Sequence, residues 1–304
     1  MNPGTSEPRN PGTNPIKRAG LVARHALPSA TAALAEAAAW LQAHGCTPVV
    51  DEDSAAAGKL TTWRTAPRRE LSQQVDVVIA FGGDGTLLEV ASTIAHSPVD
   101  VPVLGVNLGH LGFLTEVSRS ELVDALQALV DGQTWTETRA MLDGRIESAD
   151  GSTDRLALND IVITRGSLSR MIELDVTVDG QFVSHVKADG LIIATATGST
   201  AYNLSAGGPI LLPSVDAFVL TPIAPHALTN RPVVLPATAE IVVRPAGGAA
   251  GRSDIVTFDG QHGLPIRDGD SLLVRRSARV LTLIHTSSRS HFDMLREKLK
   301  WGNG

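Results

Sequence analysis

Residues 76–88 read Asp-Val-Val-Ile-Ala-Phe-Gly-Gly-Asp-Gly-Thr-Leu-Leu. Val77 to Phe81 is a short apolar run of the kind a strand buried on both faces requires. It breaks at Gly82-Gly83-Asp84-Gly85-Thr86, and apolar residues then recur at helical spacing (Leu87, Leu88, Val90, Ala91, Ile94). A strand, a glycine-dense turn and a helix form the anion site of α/β proteins, because N–H groups opening the helix point at the ligand. Glycine lets the backbone turn sharply and approach a bound group closely. Asp84 carries the wrong charge to bind phosphate. It takes a proton from a hydroxyl or helps to hold a metal ion.

Outward from this turn, strands and helices alternate. Ala19–Ala23 and Thr47–Val50 read as strands, with a helix from Pro28 to His44 between them that stops at Gly45. Residues 51–72 read as a polar, irregular stretch whose arginines (Arg64, Arg68, Arg69) form a solvated face, or alternatively a mobile lid. Val101–Val106 is a further buried strand, running into the loop Asn107–Glu116, and a helix capped by Ser118 or Ser120 extends to Val130. This order implies a mostly parallel sheet. Past Gly132 the texture becomes short β-rich runs: 161–164, 172–178, 182–186, 191–196, 217–220, 240–244, 255–258, 271–275 and 280–284. Turn pairs such as Asp179-Gly180 and Asp268-Gly269 separate several of them.

The expected fold is therefore an α/β domain with a mostly parallel sheet over residues 16–131. An all-β, sandwich-like domain over 132–285 follows, and the helical 286–304 returns to the first domain. Residues 1–15, rich in Pro, Gly and Asn, read as a disordered tail.

Composition narrows the function. A net charge of −6 and 4% aromatic residues argue against nucleic-acid binding by a basic surface or by stacking. No apolar run approaches the ~20 residues of a membrane helix, and no signal peptide is recognisable. Cys46 is the single cysteine, which fits a reducing, cytoplasmic setting and excludes a cysteine zinc cluster. Walker-type and Gly-x-Gly-x-x-Gly nucleotide signatures are missing.

Three more clusters stand out. Asn159-Asp160 precedes a strand. Lys187–Pro209 contains Asp189 and a dense set of hydroxyls: Thr195, Thr197, Ser199, Thr200, Tyr202 and Ser205. The fourth is Pro225–Pro232, with His226 and Arg231. Hydroxyls at a strand end hydrogen-bond ribose, amide or phosphate groups, and acidic residues accept from sugar hydroxyls. His110 and His226 read as structural rather than acid–base residues.

In this order, GGDGTLL, NLGHLGFLTE, the 159–160 pair, DGLIIATATGSTAYNLSAGGPI and PHALTNRP resemble the NAD kinase family from about residue 76 to 262. GGDG alone is shared with lipid kinases; the TGSTAY–SAGGP block is far more specific. The resemblance implies phosphoryl transfer from ATP, or inorganic polyphosphate, to the adenosine 2′-hydroxyl of NAD, giving NADP. It implies a divalent cation, usually Mg²⁺, though no metal ligand is assigned to the protein, and a homodimer or homotetramer. Asp84 matches the catalytic aspartate, and the active site is expected between the two domains. Gly82, Gly83, Gly85 and Thr86 form the phosphate loop. The implied NAD-binding set is Asp84, Gly85, Asn159, Asp160, Arg170, Lys187, Asp189, Thr197, Thr200, Ala201, Tyr202, Asn203, Leu204, Ser205 and Gln261. Ala196 departs from the family, which usually has Pro there; residues 246–254 have no counterpart. A lipid kinase would need an apolar cleft and leaves the hydroxyl block unexplained. A non-catalytic NAD-binding module would have no use for Asp84.

Overall fold

The computed structural model describes residues 16–301, apart from 26, 110, 167–170, 228, 248–252 and 287–288 and the side chain of residue 262. The expected tail, His110 and Arg170 lie outside the described residues. The chain divides into two compact units: residues up to 138 together with those from 281 onward, and residues 139–280.

In the first unit the strands run in parallel, in the order Arg64–Ala66, Thr47–Asp51, Arg18–Ala23, Val77–Phe81, Val103–Asn107. Leu283 then pairs in parallel with Val103. Val77–Phe81 is buried at every position, as its unbroken apolar run requires. The helix Pro28–Ala43 has Pro at its first turn and buries Ala30, Ala33, Leu34, Ala37, Ala38 and Leu41, one stripe at helical spacing. Gly45 follows at φ +81°, a conformation glycine adopts freely. These faces meet in one core with Leu21, Ile79, Phe81, Leu104, Leu122 and Leu126.

Residues 51–72 are more ordered than their polarity suggests. Helix Glu52–Gly58, strand Arg64–Ala66 and helix Arg68–Leu71 occupy them. The buried carboxylate of Asp51 caps the first helix at Ser54 N and is gripped by Arg68 through two hydrogen bonds of 3.2 and 2.9 Å. Arg68 is thus a structural residue, and Arg64 and Arg69 pair with Gln74 and Glu70.

The second unit is a sandwich of antiparallel sheets. One sheet contains Gln181–Ala188, Ile172–Val178, Ile241–Pro245 and residues 271–280, with the hairpin Trp135–Ser148/Gly151–Ala157 attached. The other runs Val233–Pro236, Ala217–Ile223, Gly190–Thr195, Asp160–Thr164, Ser253–Phe258, Gln261–Arg267. Alternate residues point inward (Leu174, Val176, Ile161, Ile163, Leu191, Ile193, Leu272, Val274) and make its core. The runs 271–275 and 280–284 form one strand, Ser271–His285. Trp135–Ser148, absent from the expected runs, contains Asp143-Gly144, a pair of the kind that elsewhere separates strands. Gly144 is instead a mid-strand position where a Cβ would come within 2.7 Å of Ile161 and Phe258. No helix among the described residues is long and apolar enough to cross a membrane.

Candidate active site

Parallel pairing sets the carboxyl ends of Val77–Phe81 and Val103–Asn107 side by side, with Phe81 in register with Val106. The glycine turn leaving one strand and the loop leaving the other therefore meet, in the crevice where open α/β sheets bind ligands. Gly83 is the extended cap of helix Asp84–Ala95, and Asp84 is its first residue. The Asp84 carboxylate is held by the neighbouring loop. Oδ2 accepts from Phe113 N (2.8 Å), while Oδ1 accepts from Leu114 N (3.1 Å), Thr115 N (3.1 Å) and Thr115 Oγ1 (2.9 Å). Thr115 Oγ1 in turn accepts from Asn107 Nδ2 at 2.9 Å. A carboxylate has about four acceptor sites, and among the described residues Oδ2 accepts one bond against three at Oδ1.

The glycines divide by cause. A Cβ on Gly112 would lie 1.9 Å from Asp84 Oδ1, and one on Gly82 would lie 2.2 Å from Thr86 Oγ1. These two are demanded by the protein's own packing. At Gly83 and Gly85 a Cβ would meet nothing within 4 Å, so internal packing does not call for glycine there.

In the second unit, Asn159-Asp160 is built against two later segments. Thr195 N donates to Asn159 O at 2.9 Å, and Thr195 Oγ1 donates to Leu158 O at 2.7 Å. Gly198 packs so tightly that a Cβ would sit 2.0 Å from Asn159 O. From the other side the Asp259 carboxylate accepts three backbone N–H bonds, from Leu158 (2.8 Å), Asn159 (2.7 Å) and Asp160 (3.2 Å). Asp259 and Gly260 make the turn, at φ 51° and 69°, that leads into Gln261, which pairs with Phe258. Burial, with the charge of Asp259 added, pushes the Asp160 carboxyl up to about 7. Burial also raises Asp259, against the pull of its three backbone hydrogen bonds.

The hydroxyl block splits into an inner and an outer set. Asn203 is fully buried and held at both ends: Nδ2 donates to Ser199 O and Pro209 O, and Oδ1 accepts from Thr221 Oγ1. Ser199 Oγ donates to Ala196 O at 2.7 Å and accepts from Leu211 N at 2.9 Å. Thr197 is buried, with its Oγ1 3.5 Å from Arg139 Nη1. Those residues fasten the short helix Tyr202–Ser205, whose Tyr202 and Ser205 face outward, with Thr200, Ala201 and Leu204 half-buried. Lys187 is paired with Glu173 at 2.7 Å and Asp189 with Arg165 at 3.1 Å. Backbone bonds join His226 to Lys187 and Asp189 to Ile223. The structure thus packs Thr195, Gly198 and Asp259 against the 158–160 segment, with Thr197 and Gln261 near them in sequence.

Two family models, described as the ATP-NAD kinase N-terminal domain and the ATP-NAD kinase C-terminal domain, match residues 19–134 and 158–286. An NAD kinase of Solibacter usitatus is 44% identical over 294 residues, 94% of this chain and 98% of that protein. One of Geotalea daltonii is 40% identical over 288 residues, 94% of this chain and 99% of that protein. The chain belongs to the NAD kinase family. Solved NAD kinase structures agree. A yeast NADH kinase complexed with NADH superposes with a TM-score of 0.87 at 26% identity, covering 96% of this chain and 89% of that one. An Archaeoglobus fulgidus NAD kinase in complex with ATP gives a TM-score of 0.75 at 26% identity, covering 93% and 98%.

Sequence reasoning missed the amides of Phe113–Thr115 as the cradle of Asp84, and Asp259 as the anchor of Asn159-Asp160. The first has no side-chain signature. The second lies in an Asp-Gly turn preceding Gln261, but its carboxylate points back at a strand 100 residues earlier in the chain, by the bond to Asn159 N.

Proposed function

We propose that this NAD kinase family member transfers the γ-phosphoryl group of ATP to the adenosine 2′-hydroxyl of NAD, giving NADP, with Asp84 as general base. The observation that carries the proposal is the Asp84 carboxylate itself, fixed by four donors beside a glycine turn. A secondary hydroxyl is a poor nucleophile at neutral pH, and a positioned carboxylate accepts its proton as the new P–O bond forms. Oδ2, which accepts a single bond among the described residues, is the atom assigned to that proton. Gly83 and Gly85 leave open space above N–H groups at a helix start, which suits phosphate oxygens.

Asn159, Asp160, Thr197, Thr200, Ala201, Tyr202, Leu204, Ser205 and Gln261 are assigned to NAD, with Lys187, Asp189 and Arg170. Asn203 serves this set by holding the helix that presents Tyr202 and Ser205. Among the described residues no group of three or more His, Cys, Asp or Glu side chains is arranged to hold a metal. A cation is assigned to the donor phosphates with one or two carboxylates at most, as Mg²⁺ is commonly held. Bound there, it neutralises charge on the transferring group. Polyphosphate remains an alternative donor. A cytoplasmic homo-oligomer is the setting we assign, in keeping with a single cysteine, Cys46, whose thiol burial pushes up to about 11.

The test is direct. Purified protein with ATP, Mg²⁺ and NAD should form NADP, detected by an NADP-specific dehydrogenase; a signal no greater than the protein-free blank removes the proposal. Replacing ATP by polyphosphate in the same assay decides the donor.

A further inference from the structure

His285 takes no part in the reaction proposed above, yet it is buried and gripped from two sides. Its Nδ1 lies 2.8 Å from Glu116 Oε2, and its Nε2 lies 3.2 Å from Glu137 Oε2. The Trp135 ring stacks on the imidazole, with centroids 4.0 Å apart. The carboxylates address opposite ring nitrogens, through a hydrogen bond at Nδ1 and a close charge contact without hydrogen-bond alignment at Nε2, so the arrangement suits an imidazolium between two carboxylates rather than a metal chelate.

Glu116 ends the loop whose preceding residues, Phe113, Leu114 and Thr115, hold Asp84. Its other oxygen, Oε1, accepts from Thr286 N at 3.2 Å, and its carbonyl accepts from Arg289 Nη1 at 3.1 Å. Arg289 also reaches Glu121 at 2.8 Å. Beyond it, helix His291–Leu299 brings His291 to 6.2 Å from the Phe113 ring and Lys298 Nζ to 5.9 Å. The loop is thus tied down at its far end by the strand end at His285 and by the residues that follow.

We infer that His285 is a positioning residue for phosphoryl transfer: clamped between Glu116 and Glu137, it fixes the loop whose backbone aims the Asp84 carboxylate. The inference rests on the proposed role of Asp84. A carboxylate held by three amides and a hydroxyl is only as well placed as the loop that carries those donors, and misplacement of a reacting group by about 1 Å costs up to ~10²-fold in rate.

The full-length protein is compared with His285→Gln and Glu137→Gln. Kinetics with ATP, Mg²⁺ and NAD give kcat and KM, and hydrogen–deuterium exchange over residues 111–118 reports on the loop amides. His285→Gln should lower kcat roughly ten- to hundredfold with KM for NAD changed less than about twofold. It should speed exchange over 111–118 while leaving strand Val77–Phe81 and helix Leu122–Val130 protected. Glu137→Gln should show the same pattern at smaller size, and it decides by the same criteria if His285→Gln does not fold. Unchanged kcat, or unchanged exchange over 111–118, overturns the inference. A wild-type protein that makes no NADP would instead remove the proposed function, while the exchange data would still report whether His285 holds the loop.

Discussion

At the scale of single residues, the four glycines around Asp84 separate fold from function. Gly82 and Gly112 are fixed by contacts inside the protein, whereas Gly83 and Gly85 stand in open space. Gly85→Ala removes backbone freedom in the first turn of a helix, where alanine is favoured by up to about 1 kcal/mol. We expect its melting temperature to hold or rise and its NADP-forming rate to fall, because the added methyl occupies space assigned to phosphate. A variant with unaltered kinetics would show that no ligand approaches Gly85 closely. Asp160 supplies a second residue-level prediction. Its carboxyl, pushed up to about 7, is favoured neutral in the fold. Its contribution to stability is full below the ordinary aspartate value and is lost as pH rises through about 7. Asp160→Asn, neutral at every pH, should therefore gain thermal stability relative to wild type between pH 5 and pH 8. A difference in melting temperature independent of pH would contradict the shifted titration.

At the scale of elements, the glycine turn, the parallel strands and the sandwich strands were legible because their patterns are local: apolar runs, periodicity, Asp-Gly turns. Besides Trp135–Ser148, elements whose apolar side is thin were missed. Strand Arg64–Ala66 buries only Ala66, and helix Arg68–Leu71 only Leu71. What holds that region is the Asp51–Arg68 pair, with Ser54 Oγ donating to Asp51 at 2.8 Å and accepting from Ala23 N at 2.9 Å. Removing the cation strands a fully buried carboxylate, a loss of about 3 kcal/mol or more for a buried pair. Arg68→Ala should accordingly lower the denaturant midpoint well beyond the effect of Arg69→Ala, whose partner is exposed. Equal effects of the two would show that Asp51 does not depend on Arg68.

At the scale of the whole molecule, the sequence motifs named the chemistry but not how each piece is supported. Asp84 was visible in GGDG; its cradle of amides was not, because backbone donors leave no mark in residue identity. Asn159-Asp160 was visible; its anchor, Asp259, was not, because its partners lie about 100 residues away in the chain. The hydroxyl block read as one ligand surface, yet Ser199 and Asn203 face inward and hold the helix whose Tyr202 and Ser205 face out. In the proposed function the work is divided by unit: the carboxylate assigned to the reaction belongs to the first, and most of the residues assigned to NAD belong to the second. The division is testable in one variant. Asp84→Asn keeps an acceptor oxygen for the three donors at Oδ1, gives up the bond from Phe113 N, and cannot take a proton at the Oδ2 position. With NAD binding followed by calorimetry and NADP formation by coupled assay, binding should survive while kcat falls by ~10²–10⁴-fold. Wild-type turnover in Asp84→Asn would contradict the assignment of Asp84 as the base.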